Sequence, residues 1–276
     1  MTYTIVHTVD NGIERIVYTP QEKKFETPIV MQHGMWHGAW CWQPWQELLA
    51  EWGWELHAHS LPGHGRSPVQ KPIRWCTLSY YLEFLRAEVE RMARPPVLMG
   101  HSMGGALTQM YLRDVGDLPA AVLVAPWLSH NMIMPILRTP LRDPWGFIAT
   151  FLHLTTAPLV RNPFRAAQMF THEGALFSPE ELHARLGPES MWVLLQYNPP
   201  FWFPAKQVNT PLLWLAGAAD TLISEKRERP SAAHYGAEYV VVDGAGHNVM
   251  MERSFRETAV IIRDWLEKQA LASAWS

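Results

Sequence analysis

Pro96-Val97-Leu98-Met99-Gly100-His101-Ser102-Met103-Gly104-Gly105-Ala106-Leu107-Thr108-Gln109-Met110 carries the deciding pattern of this 276-residue chain. The apolar run up to Met99 reads as a buried strand, and the residues from Gly105 onward read as a helix. Between them stands Gly-x-Ser-x-Gly, the setting that lifts a serine hydroxyl onto a strained strand-to-helix elbow. Small residues at 100, 104 and 105 let strand and helix approach closely and tolerate dihedrals that a side chain resists. A hydroxyl there becomes a nucleophile only if a base takes its proton and a third group orients the base. The rest of the chain must supply both.

Composition narrows the field. The length suits one large domain, or a core domain with an insertion, and 48% of residues are hydrophobic. The net charge of −3, from 23 basic and 26 acidic residues, gives no field that points to nucleic acid or an anionic membrane. Met1 to Ile13 alternates polar and apolar residues, unlike a signal peptide. The most apolar stretch, Leu118 to Leu137, is broken by Pro119, Pro126, Ser129-His130-Asn131 and Pro135. It reads as a strand running into a loop, not as a bilayer span of ~20 residues, so no stable membrane insertion is expected. Cys41 and Cys76 lack metal or redox spacing, and a cytoplasmic location is the simpler expectation. Fourteen tryptophans are costly to bury without partners for their ring nitrogens, so some are expected to face a cavity.

Along the chain, Thr2–Val9 and Ile13–Tyr18 read as strands joined through Asp10-Asn11-Gly12. Ile29–Gln32, Trp54–His59, Val97–Met99, Ala120–Val124, Leu212–Leu215 and Tyr239–Val242 read as further strands. Helices are expected over Trp42–Trp52, Ser79–Met92, the elbow to about Arg113, and Phe255–Lys268. This alternation predicts an α/β fold with a mostly parallel sheet covered on both faces. Between Ala125 and Val208 the rhythm breaks. Asp143-Pro144, Asn162-Pro163 and Ser178-Pro179 each place a capping residue before a proline, and Glu181 completes a capping box with Ser178. Residues 128–207 are therefore read as a helical lid inserted into a core made of 1–127 and 208–276. Its aromatic and methionine content predicts an apolar cleft with an adaptable lining from Met132, Met134, Met169 and Met191. The candidate substrate-lining residues are Trp36, Met132, Trp145, Trp192 and Trp202.

His247, in the turn Gly244-Ala245-Gly246-His247 after the last strand, is the expected base. His130 is its main rival, whereas His101 lies within the elbow and is expected to point away from the serine. Asp220, in the turn after Leu212–Leu215, is the expected orienting acid, with Asp243 as the alternative. Negative charge developing on a substrate needs donors. The backbone amide of Met103, at the start of the elbow helix, and that of Met35, after His33-Gly34, are the candidates. No clustered metal ligands occur, and neither metal nor cofactor is expected.

These residues together resemble the α/β-hydrolase family over nearly the whole chain. His33-Gly34, Gly63-His64-Gly65-Arg66-Ser67, Gly100-His101-Ser102-Met103-Gly104, Asp220 and Gly246-His247 fall in the family's order of oxyanion loop, glycine turn, nucleophile, acid and base. The resemblance implies an eight-stranded sheet, a lid after the sixth strand, and Ser102-Asp220-His247 as a triad. Gly100 to Gly105 and the Gly-His-Gly turn resemble lysophospholipase and monoacylglycerol-lipase-like members. His33 to Trp42 instead resembles the methylesterase and hydroxynitrile-lyase branch. The expectation is cofactor-free hydrolysis of a small-molecule carboxylic ester with an apolar acyl or alcohol group, through an acyl-enzyme. The alternatives are a C–C bond hydrolase, a lyase, and a ligand receptor with vestigial hydrolysis.

Overall fold

Tyr3–Asp10 (β1) and Ile13–Pro20 (β2) form an antiparallel hairpin. Asn11 and Gly12 both take positive φ, as a type I′ turn requires. The computed structural model that shows this describes residues 2–269 and 271. β2 also pairs antiparallel with Leu56–Ser60 (β4). From β4 onward every pairing is parallel, through Ile29–Gln32 (β3), Val97–His101 (β5), Ala121–Val124 (β6), Leu212–Gly217 (β7) and Glu238–Val242 (β8). The eight strands lie in the order β1-β2-β4-β3-β5-β6-β7-β8. All residues of β3, β5, β6 and β7 are buried, as expected for parallel strands covered on both faces. Strand order reverses at β3, between β4 and β5, and that switch opens a crevice beyond the carboxyl ends of the strands.

Gln43–Glu51 (α1), Leu78–Glu90 (α2) and Met103–Asp114 (α3) arise in the first half of the core. The helical insertion between β6 and β7 comprises Ile133–Arg142 (α4), Pro144–His153 (α5), Pro163–Phe170 (α6), Pro179–His183 (α7) and Met191–Gln196 (α8). Glu225–His234 (α9) follows β7, and Phe255–Leu266 (α10) follows β8. The three capped starts form as the sequence indicates. Asp143, Asn162 and Ser178 accept from the amides of Gly146, Arg165 and Glu181, and the capping box at Ser178 is closed. Among the described residues no helix is long and apolar enough to cross a membrane.

Two elements differ from the sequence pattern. The expected strand from Trp54 starts only at Leu56. The Trp54 amide donates to Leu49 O and that of Gly53 to Ala50 O, a Schellman closure that ends α1 and delays the strand. The helix α9 has no counterpart in the apolar periodicity, because Glu-Lys-Arg-Glu-Arg-Pro-Ser-Ala-Ala-His carries no apolar stripe. It docks through buried Glu228, which accepts from the ring nitrogen of Trp214 at 2.7 Å. Trp45 likewise donates to Phe255 O at 2.9 Å, so these two core tryptophans bury their rings with the polar atom satisfied.

A layer of fully buried histidines underlies the carboxyl end of the sheet. Burial holds His37 and His59 down at about 4 and pulls His33 and His101 well below the usual histidine value. The unfolded chain binds these protons near pH 6.5, and the folded chain refuses them until lower pH. The stabilisation is thus present above about pH 6.5 and is lost as pH falls toward 4, at about 1.4 kcal/mol per pH unit for each such histidine. Urea unfolding midpoints should fall steadily from pH 7 to pH 5. A midpoint that stays flat over that window would contradict a neutral buried layer.

Candidate active site

β5 ends at His101, and α3 begins at Met103. Ser102 alone makes the turn, at φ 52° and ψ −115°. This is a sparsely populated conformation for a residue with a side chain. Close packing enforces it. A Cβ on Gly104 would run into the carbonyl oxygens of Gln32 and His33 at the end of β3, and one on Gly100 would meet Gly104 O. The Ser102 amide donates to Val124 O at 3.0 Å, and its carbonyl accepts from Ala106 at 3.1 Å. The backbone is fixed on both sides, and the hydroxyl is left at the tip.

His247 Nε2 lies 2.9 Å from Ser102 Oγ, and His247 Nδ1 lies 2.6 Å from Asp220 Oδ2. A carboxylate can only accept, so Nδ1 carries the proton and Nε2 is left to accept from the serine hydroxyl. Asp220 is itself held by the amides of Leu222 and Ile223, which donate to Oδ1 at 2.7 and 2.9 Å. All three side chains are buried. Asp243 is exposed. His130 faces His234 and makes its hydrogen bond to Ser129. His101 turns to the other side of the elbow, where Nε2–H donates to the backbone carbonyl of His247 at 3.1 Å. The residue that the elbow directs away from the serine thus fastens the base.

The loop after β3 is a tight turn closed by the His37 amide on Gly34 O at 3.3 Å, with Trp36 at φ 62°. Positive φ at the third turn position is usual for glycine, and a tryptophan there is strained. Its neighbours hold it. His37 Nδ1–H donates to Met35 O at 2.7 Å, and Gly187 of the insertion donates to Trp36 O at 2.8 Å. His37 Nε2 accepts from Asn248, next to the base, at 2.9 Å. Both nitrogens of His37 are occupied by a neutral ring, in keeping with its low pKa of about 4. Met103 opens α3, so its amide is among the first N–H groups of the helix, which no helix carbonyl satisfies.

A cavity of about 460 Å³ opens beside Ser102 and His247. Met35, Trp36 and Met132 line it, as does Met169. Three expected lining residues lie elsewhere. Trp145 is 77% exposed on the outer face of α5, and Trp192 is partly exposed on α8. Trp202 is buried but structural: its ring nitrogen donates to Ser129 O at 2.8 Å, and it stacks on Tyr197 at 4.4 Å. Met134 and Met191 are also outside the cavity lining, the first half exposed and the second packed in the interior. Trp127, Leu222 and Ile223 do line it, although no local motif marks them. Their only sequence signal is positional, since they follow the ends of β6 and β7 at the carboxyl edge of the sheet. Among the described residues no cluster of three or more His, Cys, Asp or Glu could hold a metal ion.

A hydroxyl, an imidazole and a carboxylate linked in this order, beside a cavity, form the apparatus of a serine hydrolase, and they suit hydrolysis of a small carboxylic ester. No curated protein sequence matches the chain. Among solved structures the fold resembles a monoacylglycerol lipase of Paleococcus ferrophilus (18% identity, TM-score 0.66, covering 92% of this chain and 98% of that one). It also resembles a soluble variant of monoglyceride lipase from Saccharomyces cerevisiae (15%, 0.73, 97% and 96%). A third likeness is to a thermophilic esterase from Thermogutta terrifontis (19%, 0.64, 96% and 98%). The model of the alpha/beta hydrolase family matches residues 29–260, and the chain belongs to that family.

Proposed function

We propose that this protein hydrolyses carboxylic esters with an apolar acyl or alcohol arm through an acyl-enzyme on Ser102. The observation that carries the reading is the relay from Asp220 through His247 to Ser102, opening into a cavity lined by Met35, Trp36, Trp127, Met132, Leu194 and Leu222 among others. His247 takes the serine proton as Ser102 Oγ attacks the ester carbon. The amides of Met35 and Met103 hold the oxyanion. His247 then protonates the leaving alcohol and later activates water against the acyl group. Asp220 keeps the proton on Nδ1 and stabilises the imidazolium as it forms.

Residues 128–207 act as the lid in this reading, since the insertion between β6 and β7 contributes Met132, Ile136, Leu159 and Met169 to the cavity wall. The solved structures it resembles include lipases and an esterase, which fits. A cytoplasmic location goes with the proposal, because Cys41 and Cys76 are buried and unpaired.

The triad is tested by purified variants. Asp220→Asn should lose on the order of 10³–10⁴ in turnover because the wrong tautomer is favoured, while Asp243→Asn stays within about twofold, as expected of an exposed side chain with no hydrogen bond to the base. Reversed effects in parallel assays would move the acid to Asp243.

The apolar arm is tested by a series of p-nitrophenyl esters. Each methylene that reaches the cavity should raise kcat/KM by up to about fourfold, from ~0.8 kcal/mol of burial. The gain should stop once the chain outgrows the cavity. A flat or declining series from acetyl to hexanoyl would remove the apolar acyl pocket from the proposal.

A further inference from the structure

The rim of the cavity departs from the charge of the chain. The protein as a whole carries −3. Yet the Lys, Arg, Asp and Glu side chains that line the cavity are Arg138, Arg142, Arg165 and Asp143. Asp143 is already committed. It caps α5 through the Gly146 amide and holds Arg161 and Arg165, with Arg165 Nη1 at 3.1 Å. Arg142 donates one N–H to Thr221 O at 2.7 Å, next to the triad acid, and a guanidinium has five. Arg138 has no hydrogen-bond or ion-pair partner among the described residues.

The helix α4 itself gives these charges no relief. Its sequence, Ile-Met-Pro-Ile-Leu-Arg-Thr-Pro-Leu-Arg, holds two arginines four residues apart and no acid. Like charges at that spacing weaken a helix. The same helix turns Pro135, Ile136 and Thr139 to the cavity, so the arginines stand at the edge of an apolar wall. A guanidinium beside low-dielectric surface binds an anion more strongly than one in open water, and its planar fork matches a carboxylate.

We propose that the site takes esters carrying a second, anionic group, a carboxylate, on the arm that lies beneath α4, with Arg138 and Arg142 as its receptor. The apolar part of that arm fills the cavity, and the charge meets the arginines at the rim. The inference rests on the ester-hydrolase reading. Hydrolysis consumes one water and breaks the acyl–oxygen bond; with the charge on the acyl arm it releases an alcohol, a dicarboxylate and a proton, and with the charge on the alcohol arm a monocarboxylate, a hydroxycarboxylate and a proton.

The test compares matched substrates with the full chain at low salt. Methyl octanoate is set against monomethyl suberate, which charges the acyl arm, and hexyl acetate against the acetate ester of 6-hydroxyhexanoate, which charges the alcohol arm. In at least one pair the charged member should have a kcat/KM about tenfold or more above the neutral one. The preference should shrink at about 0.5 M salt. Arg138→Gln should lower the charged-to-neutral ratio by about tenfold, and Arg138→Glu by more. Equal or better use of the neutral member in both pairs would overturn the proposal, as would an unchanged ratio in Arg138→Gln. If no ester of either kind is hydrolysed, the esterase reading fails, and calorimetric titration with suberate decides the anion site separately. Binding that Arg138→Glu abolishes upholds the site, and absence of binding overturns it.

Discussion

Ser102 is held at φ 52° and ψ −115° by the approach of α3 to the ends of β3 and β5, and the site is built around that contact. A strained residue of this kind costs on the order of 1–3 kcal/mol. All residues from Val97 to Leu112 are buried, and each large apolar side chain among them contributes roughly 1.5–3 kcal/mol on burial. Leu98, Met99, Leu107 and Met110 therefore outweigh the strain. The serine is presented because the surrounding core is too well packed to relax it.

The loops that meet the serine are held by one another as well as by the sheet. His37 ties the turn after β3 to Asn248, beside the base. The base loop is fastened to the insertion through Asn248 N on Phe170 O at 2.7 Å. Buried Glu252 accepts from the amides of both Gly246 and His172 at 2.9 Å, and burial raises the pKa of its carboxyl. On the far side, Glu189 of the insertion accepts from Tyr81 at 2.9 Å and lies 3.1 Å from His64 in the glycine turn, without the alignment of a hydrogen bond. The insertion is thus anchored by buried polar groups at two places. Its outer helices α4 and α5 keep large apolar side chains exposed, among them Leu141, Trp145 and Leu152.

Much of this was legible because the local signals agree with the global fold. The elbow, the hairpin at Asn11-Gly12, the strand–helix alternation and the three proline-backed caps each have one strong local cause. The sequence left less trace where tertiary contacts decide. The helix α9 forms although Pro230 and its charged residues argue against it, because Glu228 is buried on Trp214. The density of tryptophan in the insertion signalled apolar surface but not its direction. Trp202 went to Ser129 O and a stack with Tyr197, Trp145 went to the outer face, and Trp127 took the place beside the serine. The arginines of α4 look like an ordinary solvated face in the sequence. Only the fold sets them at the cavity rim.

Everything the site does rests on activation of the Ser102 hydroxyl by His247 and Asp220. Reaction with a fluorophosphonate, followed by peptide mass spectrometry, tests it most directly. A single phosphonyl adduct is expected on the peptide containing Ser102, formed rapidly in the parent protein and suppressed in His247→Ala. An unmodified Ser102, a label on another serine, or labelling of Ser102 at the parent rate in His247→Ala would contradict it.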